Sequence, residues 1–461
     1  MPLCIFASRV PRETGDNEEV KAKLLAGIAV ALTSSSLALA SPATDLFDQA
    51  VQFMADNYHG YSTINPKELG SSLRAQLVNA CANNANCAYN VATPFVQRLA
   101  SGMNDGHTYY LSQASYERAM QEYTGSSANP NPVFGFQMGD ANSRGEVLIE
   151  DVVAGSPAFN AGLRPFDRVV SVNGETLTGG AARLRALIQT DAPVRLEVVR
   201  GPVAQAQRVT VTMQRKRLER TNLPYLYQPA GLPAGVLVMR FPTFVGSNDI
   251  APTTHALVAQ AQAQGANTIL IDVRGNGGGE ETECYGAASA FIGRAVNVNE
   301  TTTQRVLVGF DGGKFIGNDP KDPNRFEITK PGLWKGRVAV LTDRGTASCG
   351  ELMAYMIQLA KRGPVVGETT YGVLDTATEF WKLLDGSALA ITYVRTINED
   401  GSRVPERVTP DVNAPFDERA IAETGVDPQV TAALKALPGS TTLAARWTRL
   451  LDPFGSWGKR R

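Results

Sequence analysis

Apolar residues recur along the chain with two different periods, and the change from one to the other marks its parts. From Ala43 to Asp56 and from Leu69 to Cys81 they fall three and four apart, the spacing of helices with one buried face, and residues 41–125 hold no long strand-like run. Gly125-Ser-Ser-Ala-Asn-Pro-Asn-Pro132 interrupts that pattern with turn-forming residues and reads as a linker. Between 133 and 216 short strand-like and turn-like segments alternate. From 217 to 425 the apolar runs Val236–Arg240, Thr268–Val273, Val338–Thr342 and Leu389–Val394 alternate with helix-like stretches at 250–264 and 349–362. That order predicts a mixed or parallel sheet with helices on its faces. The tail, 426–461, holds helix-compatible stretches at 427–437 and 440–451. The expected fold is multidomain α/β: an N-terminal helical domain (41–125), a β domain (133–216), an α/β domain (217–425) and a helical tail.

Residues 1–40 follow a different rule. Lys21 and Lys23 precede the apolar run Leu24–Leu32, and Ala38-Leu39-Ala40 offers small residues to a signal peptidase. The run is short for a membrane span. It predicts an export signal cleaved after Ala40 and a periplasmic or extracellular chain. A length of 461 residues suits about three domains. The net charge of −1 gives no basic field to attract phosphates, which argues against nucleic acid or an anionic membrane as partner. Three scattered histidines and five cysteines without a Cys-x-x-Cys pair show no metal-ligand spacing, and no metal or cofactor is expected. Cys81 and Cys87 bracket a turn-prone stretch and are expected to form a disulfide, which an exported chain retains. Cys284 and Cys349 read as two buried free thiols, with a bridge between them as the alternative.

The chemistry is written at Thr346-Ala347-Ser348-Cys349-Gly350-Glu351, where a buried strand gives way to a helix. First-turn N–H groups have no acceptor inside their own helix, so a serine there meets a ready-made anion pocket. The same place suits a serine that merely caps the helix, and the local sequence leaves both roles open. A second segment changes the balance. The run Thr268–Val273 ends in Arg274-Gly275-Asn276-Gly277-Gly278-Gly279, and glycines let backbone approach a ligand closely with N–H groups turned inward. A dinucleotide fingerprint fits poorly, because Glu280 stands where its third glycine belongs. An oxyanion hole fits better, with one N–H from this loop and one from the residue after the serine.

Together Asp272–Gly279, Thr346–Ser348, Gly367-Glu-Thr-Thr-Tyr-Gly372 and Thr409-Pro-Asp411 resemble the C-terminal-processing (tail-specific) serine peptidases and their tricorn-type relatives, over most of the chain after the N-terminus. The resemblance implies Ser348 as nucleophile, the Gly278 and Cys349 N–H groups as oxyanion hole, and Tyr371 and Gly372 at the substrate. Upstream, Val133-Phe134-Gly135-Phe136, Gly155-Ser156-Pro157-Ala158, Gly162-Leu163, Asp167–Val170 and Val172-Asn173-Gly174 resemble a PDZ domain. By that likeness Gly135 and Phe136 hold the free C-terminus of a protein or peptide substrate, which adds as a strand to the sheet edge.

One position departs from the commonest pattern. Ser-Lys members carry a lysine directly after Thr-Tyr-Gly, whereas here Val373 follows and cannot take a proton. Lys382, the nearest later lysine, reads as a solvated strand residue, and His59 and His255 read as surface or packing residues. His107 stands where tricorn-type proteases and the chlamydial protease-like activity factor place their catalytic histidine. Glu406 stands where they place a glutamate, 406 − 348 = 58 residues after the serine. Glu379 and Glu351 are rival carboxylates. A serine hydroxyl needs a base, imidazole suits that task at neutral pH, and a carboxylate behind it fixes the tautomer. The expected function is an exported serine endopeptidase acting near protein C-termini through an acyl-enzyme. A catalytically silent peptide-binding scaffold, favoured by Val373, and a carrier of small apolar ligands remain as alternatives.

Overall fold

The computed structural model describes residues 40–82, 84–123, 131–219, 222–317 and 325–438. The expected export signal and the helix-compatible stretch 440–451 lie outside them. The chain divides into two compact units, and among the described residues one holds 117–377 with 394–438 and the other 40–116 with Thr378–Tyr393.

In the larger unit the runs of β-forming residues become a parallel sheet in the order Val412–Asn413, Val365–Gly367, Arg337–Thr342, Thr268–Asp272, Val236–Arg240, with Tyr225–Tyr227 antiparallel at the edge. Alternate side chains of each strand go to opposite faces. Ile269, Ile271, Val338 and Val340 join a core built on helices Ile250–Ala263, Glu281–Ile292 and Cys349–Leu359. Leu270, Ala339, Leu341 and Val366 turn to the opposite face, onto the helix Pro428–Ala436 and a core shared with the β domain. Both faces are thus covered, which is why these strands read as unbroken apolar runs.

The β domain of this unit is a sheet in the order Phe136–Ala141, Val147–Val152, Arg168–Val172, Val194–Arg200, Gln207–Met213, with the short helix Gly180–Leu187. Phe136–Ala141 lies at the end of that order, so among the described residues one side of the strand has no sheet partner. At its start Gly135 has φ +81°, and a Cβ there would come within 2.2 Å of the Ser156 side chain. Only glycine fits.

The smaller unit packs Pro42–Asn57, Pro66–Ala80 and Tyr89–Gly102 around Phe47, Met54, Leu77, Val96 and Leu99. The Ser41 side chain caps the first helix and that of Asn65 the second, each followed by a proline in the first turn. Cys81 and Cys87 are bonded, with Cα atoms 5.5 Å apart. One expectation is corrected here. The run Leu389–Val394 lies in the strand Ala388–Ile397, but it does not extend the parallel sheet: Ala388–Ala390 pair antiparallel with Tyr109–Leu111. An apolar run reveals that a strand is covered and not which strand lies beside it, and a three-residue partner carries no periodicity.

Candidate active site

Ser348 follows the strand Arg337–Thr342 and a short turn, and immediately precedes the helix Cys349–Leu359. Its backbone is at φ +52°, ψ −114°, a conformation that non-glycine residues rarely adopt. Strain of this kind persists only where the surroundings impose it. Here the turn is knitted to the glycine loop. Ala347 N–H donates to the Asn276 carbonyl at 2.8 Å, and the Thr346 hydroxyl donates to the Val273 carbonyl at 3.0 Å. Ser348 does occupy the capping position, so the capping reading describes where it is; an ordinary cap is extended and unstrained, and this one is neither.

Glu351, one turn into the helix, is completely buried and gathers four donors. Its carboxylate accepts from Ser348 N–H at 2.7 Å, Thr370 Oγ1 at 2.5 Å, Gly372 N–H at 2.9 Å and Val373 N–H at 3.0 Å. Burial pushes its pKa up to about 7 although these hydrogen bonds pull the other way. The segment 370–373, which in Ser-Lys members leads to a lysine, is therefore tied through Glu351 to the backbone of Ser348. Tyr371 at this place is 45 % exposed and Gly372 half-buried.

The glycine loop is built for close approach. Gly279 has φ +151°, and a Cβ there would fall 1.9 Å from the Phe244 carbonyl carbon. Phe244 N–H and the Thr243 hydroxyl both donate to the Gly278 carbonyl. The Gly278 N–H, expected to face an oxyanion, donates to Oδ1 of Asn276 at 2.9 Å. Behind the loop, Arg274 is buried against Asp272 at 2.7 Å and Asp427 at 2.7 Å, between the rings of Phe166 and Phe416. Asp427, in the turn before the tail helix, thereby reaches the base of this loop. Arg240 continues the network to Asp151 of the β domain at 3.0 Å.

His107 belongs to the smaller unit and is fully buried. Burial lowers its pKa to about 4, partly opposed by the nearby charge of Asp105. Asp105 accepts from the His107 backbone N–H at 2.9 Å, from the Tyr58 hydroxyl at 2.8 Å and from the Thr392 hydroxyl at 2.8 Å. A histidine so placed is neutral at pH 7, as a general base must be. Sequence reasoning missed Asp105; its signal, an acid two residues ahead of a histidine, is also that of an ordinary turn. His255 is a packing residue as expected, with Nδ1 accepting from Gly332 N–H and Nε2 donating to the Gly286 carbonyl. Lys382 is exposed.

Glu406 is at the surface, its side chain 57 % exposed and paired with Arg407. Its carbonyl accepts from Leu374 N–H at 2.9 Å, so its backbone borders the segment that Glu351 holds. The expectation of two free thiols is overturned: Cys284 and Cys349 are bonded, with Cα atoms 5.7 Å apart. Helix Glu281–Ile292, which brings Cys284 there, is buried almost throughout and shows no polar face that periodicity could have detected.

A strained serine where a buried parallel strand meets a helix is the setting in which α/β folds expose a nucleophile. With the glycine loop beside it and the preceding β domain, it is the arrangement that a PDZ-linked α/β serine peptidase would need. Residues 235–414 match the model of Peptidase family S41 and residues 148–200 that of the PDZ domain. Over this region the chain is similar to peptidase family S41. It is 26 % identical over 282 residues to the carboxy-terminal processing protease CtpA of Bacillus subtilis (strain 168), covering 60 % of this chain and 55 % of that protein. It is 26 % identical over 333 residues to the chloroplastic C-terminal processing peptidase of Tetradesmus obliquus, covering 69 % and 66 %. The chain thus spans less than two thirds of the length of these two relatives. Among solved structures it is similar to the photosystem II D1 C-terminal processing protease, with 20 % identity, 81 % and 94 % coverage and a TM-score of 0.42.

Proposed function

We propose that the chain is an exported serine endopeptidase that cuts polypeptides near their C-termini. Ser348 Oγ attacks the scissile carbonyl and His107 takes its proton. The Cys349 N–H, which as a first-turn group has no acceptor in its own helix, holds the oxyanion together with Gly278 N–H. Gly278 takes this role as the oxyanion replaces Asn276 Oδ1. His107 then protonates the leaving amine, and water, deprotonated by the same imidazole, releases the acyl group. The carboxylate behind the imidazole is Glu406 by the family likeness and Asp105 by its place beside the histidine. Gly135 and Phe136 receive the substrate's terminal carboxylate, while Tyr371 and Gly372 contact the segment being cut. Among the described residues no helix is long and apolar enough to cross a membrane.

The observation that carries this reading is the strained backbone of Ser348 against the glycine loop. A fluorophosphonate should label the wild type and not Ser348→Ala, and a peptide with a free apolar C-terminus should be cut only by the former. The second reading, a silent PDZ scaffold, draws on Val373 in place of lysine and on the engagement of Gly278 N–H by Asn276. Labelling of neither protein, with the peptide bound and uncut, would favour it.

A further inference from the structure

The two proposed oxyanion donors sit on separate stretches of chain, and a covalent bond ties those stretches together. Cys349 is the residue whose N–H would hold the oxyanion, and its side chain is bonded to Cys284 across a sequence separation of 65. Cys284 lies in the first turn of the helix Glu281–Ile292, which begins directly after the glycine loop. Through this bond the path from Gly278 to Cys349 is short: 284 − 278 = 6 residues of loop and helix, then the two sulfurs. Cys349 Sγ is also packed against the loop itself, 3.5 Å from the Gly279 carbonyl oxygen and 3.4 Å from that of Glu280. Both cysteines are buried, at 0 % and 2 % exposure, so the bond is not a surface staple.

We propose that Cys284 is a positioning residue for the oxyanion hole, acting through its bond to Cys349. This rests on the peptidase reading above. Donors stabilise a developing oxyanion only when held about 2.7–3.1 Å from it. The Asn276–Ala347 and Glu351–Ser348 hydrogen bonds fix the nucleophile turn from one side, and the disulfide fixes the residue after it from the other. Opening the bond with a dithiol transfers two electrons to the protein: the reductant's thiolate displaces one cysteine, its second thiol displaces the other, and two protein thiols and a cyclic disulfide result. Cys349 is then held to the loop by its packing and by the hydrogen bonds of Thr346 and Ala347, with no covalent tie.

The test uses the full chain prepared under oxidising conditions. Mass spectrometry of an unreduced digest should find the peptides bearing Cys284 and Cys349 joined; finding both alkylated as free thiols overturns the proposal. Cys284→Ala should lower kcat per fluorophosphonate-titrated site by about tenfold or more with KM nearly unchanged. Cys349→Ala and the double variant should show the same loss rather than a product of losses. Cys81→Ala/Cys87→Ala, which opens the bond in the other unit, should lower Tm with kcat per site held. If Cys284→Ala lowers Tm but keeps wild-type kcat per site, the bond is structural only and the inference fails while the peptidase reading stands. If the wild type neither labels nor cuts, the peptidase reading fails first, and the positioning role falls with it whatever the digest shows.

Discussion

Glu351 holds a carboxyl group whose pKa is raised to about 7 in the folded chain from an ordinary 4.5. The folded state therefore binds a proton more tightly than the unfolded one, so this group's contribution is fully present below pH 4.5 and is lost as pH rises through 7. Glu351→Gln should remove that dependence: thermal unfolding followed between these two pH values should show a flatter fall in Tm than wild type, and an unchanged slope would mean the carboxyl is not raised. His107 has the opposite sign. Its pKa is lowered from 6.5 to about 4, so neutral imidazole is available well into the acid range. The acid limb of kcat/KM should therefore lie near 4, and a limb near 6.5 would mean that the working enzyme exposes this ring. His107→Ala should cost about 100-fold or more in turnover, whereas Lys382→Ala should leave it unchanged. At this scale the sequence marks candidates where chemistry demands a residue type, as at Ser348 and His107, whose roles the labelling and pH experiments test. It was least legible for partners such as Asp105 and Asn276, whose roles come from where their side chains turn.

Among the elements, the glycine loop and the helix that follows it set the limits of what pattern can reveal. The strands Thr268–Asp272 and Arg337–Thr342 announced themselves as apolar runs because both faces of the sheet are covered. Glu281–Ile292 gave no such signal, since burial on nearly all sides removes the polar stripe that defines an amphipathic helix, and its acidic first turn reads as surface. The loop between strand and helix admits no side chain at Gly279, where a Cβ would lie 1.9 Å from the Phe244 backbone. Gly279→Ala should destabilise the fold by about 2–4 kcal/mol and abolish labelling of Ser348, as read by denaturant unfolding and by fluorophosphonate. Retention of both would mean that the chain segment of Phe244 yields easily.

Across the whole molecule, the PDZ and peptidase regions of the larger unit are joined by charge as well as by a shared core. Asp151 of the PDZ sheet meets Arg240 and the Tyr225 hydroxyl, and Arg240 Nη1 reaches the carbonyl of Arg274 at the root of the glycine loop. None of this was readable from sequence, because charged residues 89 and 34 positions from Arg240 carry no mark of their pairing. Removing one member of a largely buried pair leaves the other charge uncompensated. Asp151→Ala should lower stability by about 3 kcal/mol in denaturant unfolding, and a loss no larger than that of an exposed pair such as Arg74–Asp48 would show the link to be solvated.

Arg274 takes two of its acceptors, Asp427 and Gln429, from the final stretch of described chain. The turn before the tail helix thus braces the base of the glycine loop. A cut between the strand Val412–Asn413 and this turn would strip the guanidinium of both partners while leaving the serine untouched. A preparation nicked there should hold an intact Ser348 with diminished turnover.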